Sequence, residues 1–211
     1  MKRMAAICCF LLAACSEGAD PYVSVPDSAN RQRDTAPLPA AMRVNKLLPV
    51  DMSPLDVVYF PVDYPVRKMD SSYIAAPKAR VIYSRPHKGG RVIFGGLLKY
   101  GEPWRLGANE ATELELFSAA TVQGQVVPKG RYILYCIPGP NEWVIVFNRN
   151  VFSWGLKPDV GQDAFRFTVP VQGKQEALEH FTMVFQQSVE GADLVMGWDD
   201  VRTRLSFVFK S

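Results

Sequence analysis

Beyond Pro77 the chain is a succession of short segments rich in Val, Ile, Tyr and Phe: "ARVIYS", "RVIFGG", "TELELF", "TVQGQVV", "RYILYCI", "EWVIVFN", "FRFTV", "HFTMVFQQ", "ADLVMGW" and "RLSFVF". Turn-forming residues stand between them, namely Gln123-Gly124, Pro128-Lys129-Gly130, Pro138-Gly139-Pro140 and Gly191. β-Forming runs at this spacing predict an all-β fold, an antiparallel β-sandwich of jelly-roll type. "TELELF" alternates, with Leu114 and Leu116 on one face and Glu113 and Glu115 on the other, so one face of that strand should be wet. "RYILYCIP" and "EWVIVF" are apolar on both faces and should be central and doubly covered. No segment carries a long apolar stripe of helical period; "KQEALEHF" is the best helical candidate and is short.

The N-terminus is of another kind. "MKRMAAICCFLLAAC" has basic Lys2 and Arg3, an unbroken apolar run from Ala5 to Ala14, and small residues before a cysteine, the layout of an export signal. As a helix the run would reach about 15 Å, half a bilayer core, so it is too short to span. Leu12-Ala13-Ala14-Cys15 resembles the bacterial lipoprotein signal. The resemblance implies cleavage before Cys15, thioether lipidation of its thiol, and a membrane partner reached through acyl chains. Ser16, rather than an aspartate, follows the cysteine, which in a Gram-negative host favours the outer membrane over retention at the inner one. Cys8 and Cys9 would leave with the signal and Cys15 would carry lipid, so Cys136 is left without an intramolecular disulfide partner.

Three parts are therefore expected: a signal over residues 1–14, a lipidated tether over 15–52, and a β-sandwich domain over 53–211, with an arm at 53–78 and a core at 79–211. Proline, alanine and small polar residues dominate the tether, which as a flexible coil would span roughly 35 Å. "RVNKLL" within it is at most a short helical turn. In "PLDVVYFPVDYPVRKM" the residues Val57 to Phe60 suit a strand, but Pro54, Pro61 and Pro65 each lack a ladder donor, so an edge strand or extended arm is expected. Net charge is +3 and the basic residues are scattered, which excludes a nucleic-acid footprint.

"VIYSRPHKGGRVIFGGLLKYGEPWRLGANEATELELFS", "VPKGRYILYCIPGPNEWVIVFN", "WG" and "DAFRF", in this order, resemble the bacterial domain of unknown function 2911, from about Ala79 to Phe209. The arm from Pro54 to Met69 resembles one in the proteobacterial form. The resemblance implies an exported or lipid-anchored all-β protein. It carries no agreed activity and so transfers no catalytic residues. Gly89-Gly90 precede Arg91 where one glycine is common, which leaves that turn open.

Between Phe94 and Asn109 the chain has four glycines, one proline and few strand formers, so a long ordered loop is expected, a common location for function. Its polar residues admit two readings. In one, Arg85, Arg91 and Arg105 hold an anionic or polyhydroxyl ligand, with Tyr100 and Trp104 offering ring faces and Asn109 and Glu110 completing the site. In the other, Glu110 pairs with one of the arginines and Asn109 bonds to loop backbone, and no ligand is needed. "KGGR" is a weak candidate for a phosphate-cradling nest. His87 and His180 stand in distant segments without the three or four ligands a zinc site requires, so no metal and no cofactor are expected. Cys136, inside "YILYCIP", reads as a small buried hydrophobe, Asp199-Asp200 as a solvated turn, and Trp143 and Trp154 as packing, one of them available to line a groove with Trp104.

These features favour a non-catalytic envelope module that binds a ligand, a saccharide or a protein partner through the loop from Tyr83 to Glu110. The alternative is an envelope hydrolase acting on saccharide with a carboxylate such as Glu110. An enzyme needs that carboxylate in a cleft with a second acid or base in reach; a binding module needs an apolar groove without such convergence.

Overall fold

The computed structural model describes residues 51–209. The expected signal, Cys15, the expected tether up to residue 50 and its "RVNKLL" stretch lie outside the described residues.

Two antiparallel sheets face each other. The first has six strands in the order β1 (Leu55–Phe60), β2 (Ala79–Ser84), β3 (Thr112–Leu116), β6 (Gly130–Pro138), β7 (Glu142–Asn148) and β8 (Asp163–Pro170). The second has five, in the order β5 (Gln125–Val127), β4 (Ala120–Val122), β11 (Val201–Phe209), β10 (Gly191–Asp199) and β9 (Leu178–Gln187). Neither sheet closes into a barrel, as a sandwich requires. Most neighbours are consecutive strands. There are two exceptions: after β3 the chain crosses to build the β4–β5 hairpin on the second sheet and returns to pair β6 with β3, and the last strand, β11, closes against β4.

Alternation places the core. In β3, Thr112, Leu114 and Leu116 are buried while Glu113 and Glu115 face outward, where Glu115 pairs with Arg80 of β2 and Glu113 with Arg131 of β6. Phe147 and Phe167 of the first sheet meet Phe207 and Phe185 of the second in one aromatic layer, with the Phe147 and Phe207 rings stacked at 6.3 Å. β6 and β7 are covered on both sides: Leu134, Cys136, Ile145 and Phe147 join the inter-sheet core, while Ile133, Tyr135 and Val146 are buried outside it. Over that outer side Asn148 and Tyr135 bond to Asp163, at the end of the segment that follows β7.

The proline-flanked arm is the edge strand β1, followed by a cis Phe60–Pro61 bond and the four-residue helix α1 (Tyr64–Arg67). Tyr83 joins the layers. Its hydroxyl donates to the Met183 carbonyl at 3.0 Å and accepts from the Met183 amide at 2.9 Å, satisfying backbone groups on the free edge of β9.

Two sequence expectations are corrected. "RVIFGG" is not a strand: Leu97 and Leu98 amides bond back to the Val92 and Ile93 carbonyls, and the turn drives Ile93 fully into the core. "KQEALEHF" is not helical: from Leu178 it is β9, because Phe181, Met183 and Phe185 alternate inward.

Candidate functional site

The segment from Arg85 to Ala111 links β2 to β3 and is bound to both sheets. At its start it runs along the edge of β9: the Phe181 amide donates to the Pro86 carbonyl at 2.9 Å and the Lys88 amide to the Glu179 carbonyl at 2.6 Å. Further on it takes over from β3 beside β6, where Trp104 and Cys136 exchange backbone hydrogen bonds of 2.7 and 2.8 Å. Trp104 Nε1 donates to the Gly107 carbonyl and the Thr112 hydroxyl to the Leu106 carbonyl, fixing the return to β3. Gly107 passes so close to β2 that a Cβ would sit 3.0 Å from the Ser84 carbonyl oxygen.

Thus held, the segment forms a cleft of about 550 Å³, a size typical of small-molecule sites. Its walls come from Leu97, Leu98, Pro103, Gly107 and Ala108, from Pro86, His87 and Arg91, and from Ser53, Gly155 and Leu156; Trp104, Trp198 and Arg105 complete the lining. The two indoles stack with centroids 5.8 Å apart, and Phe181 lies 4.8 Å from Trp104. Among the described residues no Asp or Glu lines the cleft.

The two lining guanidinium groups differ. Arg91 is exposed and anchored to the Lys88 and His87 carbonyls. Arg105 is half-buried beneath Gly155, and its Nη1 is buried with no hydrogen-bond partner. Burial holds the Arg105 guanidinium below its ordinary value, with the negative field of Glu110 opposing that effect.

Of the seven loop residues singled out from sequence, three line the cleft: Arg91, Trp104 and Arg105. Arg85 is turned away and pairs with Asp56 at 3.1 Å, while also bonding to the Phe181 carbonyl and the Thr182 hydroxyl. Asn109, at φ 56°, donates to Asp51 Oδ2 at 2.7 Å rather than to loop backbone. Tyr100 is exposed and lies against Gly95. The pairing expected of Glu110 is not made: among the described residues it forms no ion pair, because Asn109 turns the chain and leaves the next residue in solvent.

The Gly89-Gly90 turn has both glycines at positive φ, yet the Glu179 carboxylate already accepts from the Gly89 amide at 2.8 Å. His87 and His180 meet across a bridge with rings 6.3 Å apart. No group of three or more metal-ligating side chains occurs among the described residues. Cys136 is fully buried, and desolvation raises its thiol well above the ordinary value. Trp143 packs edge-on against Trp104 in the core, whereas Trp154 is exposed and outside the cleft. Sequence reasoning missed Trp198, which the chain carries beside the Asp199 turn, and Leu156, two residues beyond Trp154.

Residues 65–207 match the family described as "Protein of unknown function (DUF2911)". The chain belongs to the DUF2911 family. The matched span runs from α1 to the end of β11 and so contains the whole Arg85–Ala111 segment and both indoles of the cleft. No curated protein matches this DUF2911 chain, and no solved structure matches it.

Proposed function

We propose that this DUF2911 protein is a lipid-anchored envelope module that binds a small ligand in the Trp104–Trp198 cleft without transforming it. The observation that carries the reading is the composition of the cleft wall. It is aliphatic and aromatic, with two arginines and one histidine, and Glu110, the carboxylate an acid–base mechanism would use, stands outside it. A photo-reactive residue at exposed Leu97, compared with one at exposed Val126 on β5, tests the reading in intact cells. Capture of a discrete added mass at position 97 alone is expected; equal labelling at both positions, or turnover of the captured species by the purified protein, would overturn it.

The envelope placement rests on Lys2-Arg3, the apolar run and Cys15. Lipid at Cys15 and a flexible tether would hold the domain off the membrane, and Ser16 favours the outer membrane as the anchoring one in a Gram-negative host. Cys15→Ala should abolish acyl labelling and change processing. If the variant still incorporates labelled acyl chains, the anchor lies elsewhere.

A further inference from the structure

We infer that the ligand of this cleft is a small amphipathic acid, with its apolar body against the paired indoles and its anionic group at Arg105. The inference rests on the cleft being the binding site, as proposed above. Three observations carry it.

First, the charge of the lining has one sign. Arg91 and Arg105 both border the cleft and, among the described residues, no carboxylate does, so an anion meets attraction from two sides and no repulsion from that wall. Second, the two cations are not equally committed. Arg91 spends donors on two backbone carbonyls, and Arg85, just after β2, and Arg131, in β6, have carboxylate partners. Arg105 has no ion pair among the described residues. The acid whose field reaches it among the described residues, Glu110, is exposed and outside the cleft lining. This half-buried guanidinium has an inner nitrogen with no hydrogen-bond partner among the described residues, and only the field of exposed Glu110 opposes its desolvation, so an anion bound beside it would supply the missing charge. Third, the remainder of the lining, Ser53 and His87 apart, is apolar and of limited volume, which suits a ring or short chain rather than a polyhydroxyl surface.

The probes are 1-naphthylacetate and its uncharged amide, which share one apolar body. Binding of each is followed by saturation-transfer NMR to the full chain in nanodiscs, with empty nanodiscs as blank. The acid should bind about tenfold or more tightly than the amide, the difference expected of a charge-assisted hydrogen bond. Arg105→Gln should erase that difference by weakening the acid far more than the amide. Ala108→Trp, which fills the cleft, should abolish both. Arg91→Gln, at an exposed position, gives a second reading should Arg105→Gln unfold; it should reduce the preference for acid without removing the amide.

Equal binding of acid and amide, with both lost in Ala108→Trp, would overturn the anion inference and leave the cleft as the site. Binding of both that survives Ala108→Trp, or binding of neither to the wild-type chain, would overturn the site and the inference together.

Discussion

Arg85 and Asp56 join the arm to the sandwich: the guanidinium Nη1 lies 3.1 Å from Asp56 Oδ2, while its other nitrogens reach the Phe181 carbonyl and the Thr182 hydroxyl on β9. One side chain thereby links β1, the end of β2 and the edge of the opposite sheet. The carboxylate and guanidinium are each more than a third exposed, so their mutual attraction is screened and worth below about 1 kcal/mol. The bonds to β9 contribute more. Arg85→Met should therefore lower the unfolding midpoint more than Asp56→Asn does. A double-mutant cycle should return a coupling of about 0.5 kcal/mol. A coupling equal to the full Arg85 effect would mean that the bonds to β9 contribute nothing.

Tyr83 makes a sharper case because both partners of its hydroxyl are backbone groups of Met183 in a buried setting. Tyr83→Phe keeps the ring and strips both hydrogen bonds. It should cost about 1–3 kcal/mol and increase amide exchange at Met183 more than at Leu194 in the centre of the same sheet. Unchanged exchange at Met183 would show that this edge is satisfied in some other way.

The strands themselves were legible from sequence, since period-two alternation fixes which side chains go inward. Leu114 and Leu116 are buried and Glu113 and Glu115 outward, as "TELELF" implies. "RVIFGG" misled because a turn with one inward plug, Ile93, has the same local composition as a short strand. "KQEALEHF" misled because Leu178 and Phe181, three positions apart, fit the helical period, whereas the strand alternation of Phe181, Met183 and Phe185 shows only beyond its end. That Trp104, Arg91 and Arg105 share one loop was visible, but that the fold brings them to one cleft was not. The partner of Asn109 is Asp51, separated from it by 58 positions, and no local pattern announces such a pair. Trp198 reaches the cleft only because the β10–β11 hairpin ends there, where Lys88 holds Asp199 at 2.6 Å.

Tyr135 gives the fold an alkaline limit. Burial first, and then its hydrogen bond to the charged Asp163, push the phenol up to about 12. In the unfolded chain it ionises near pH ~10. The folded value is the higher, so the contribution to stability is fully present below the unfolded value. It is lost as pH rises towards the folded one, at up to about 1.4 kcal/mol per pH unit. Tyr83 is raised in the same sense by burial and adds to the slope. Denaturant midpoints measured on either side of pH ~10 should fall more steeply for the wild-type chain than for Tyr135→Phe. Parallel curves would remove Tyr135 from the account.

Cys136 should be chemically silent in the native state. It is fully buried in β6, and desolvation keeps its thiol protonated. Peptide mass spectrometry after treatment with a thiol-alkylating agent should show position 136 unmodified in the folded chain and fully modified in denaturant. Rapid native labelling would mean that the Trp104–Cys136 bridge opens, and the cleft floor with it.

Gly155 ties stability to the cleft. Its φ of +85° is one that side-chain-bearing residues rarely adopt, and an added Cβ would lie 2.9 Å from the Arg105 Cβ and 3.0 Å from the Ala111 Cβ. Neither neighbour can retreat freely: Arg105 follows Trp104, which is bonded to β6, and Ala111 precedes the first residue of β3. Gly155→Ala should thus cost about 1–3 kcal/mol through backbone strain and displacement of Arg105. It should also weaken binding of an acidic probe more than binding of its neutral amide, since the guanidinium moves and the indoles do not. Gly124→Ala, at φ +78° with open space around its Cβ position, is the matched control for strain alone. If the two variants lose equal stability and neither alters ligand preference, the packing of Gly155 on Arg105 does not shape the site.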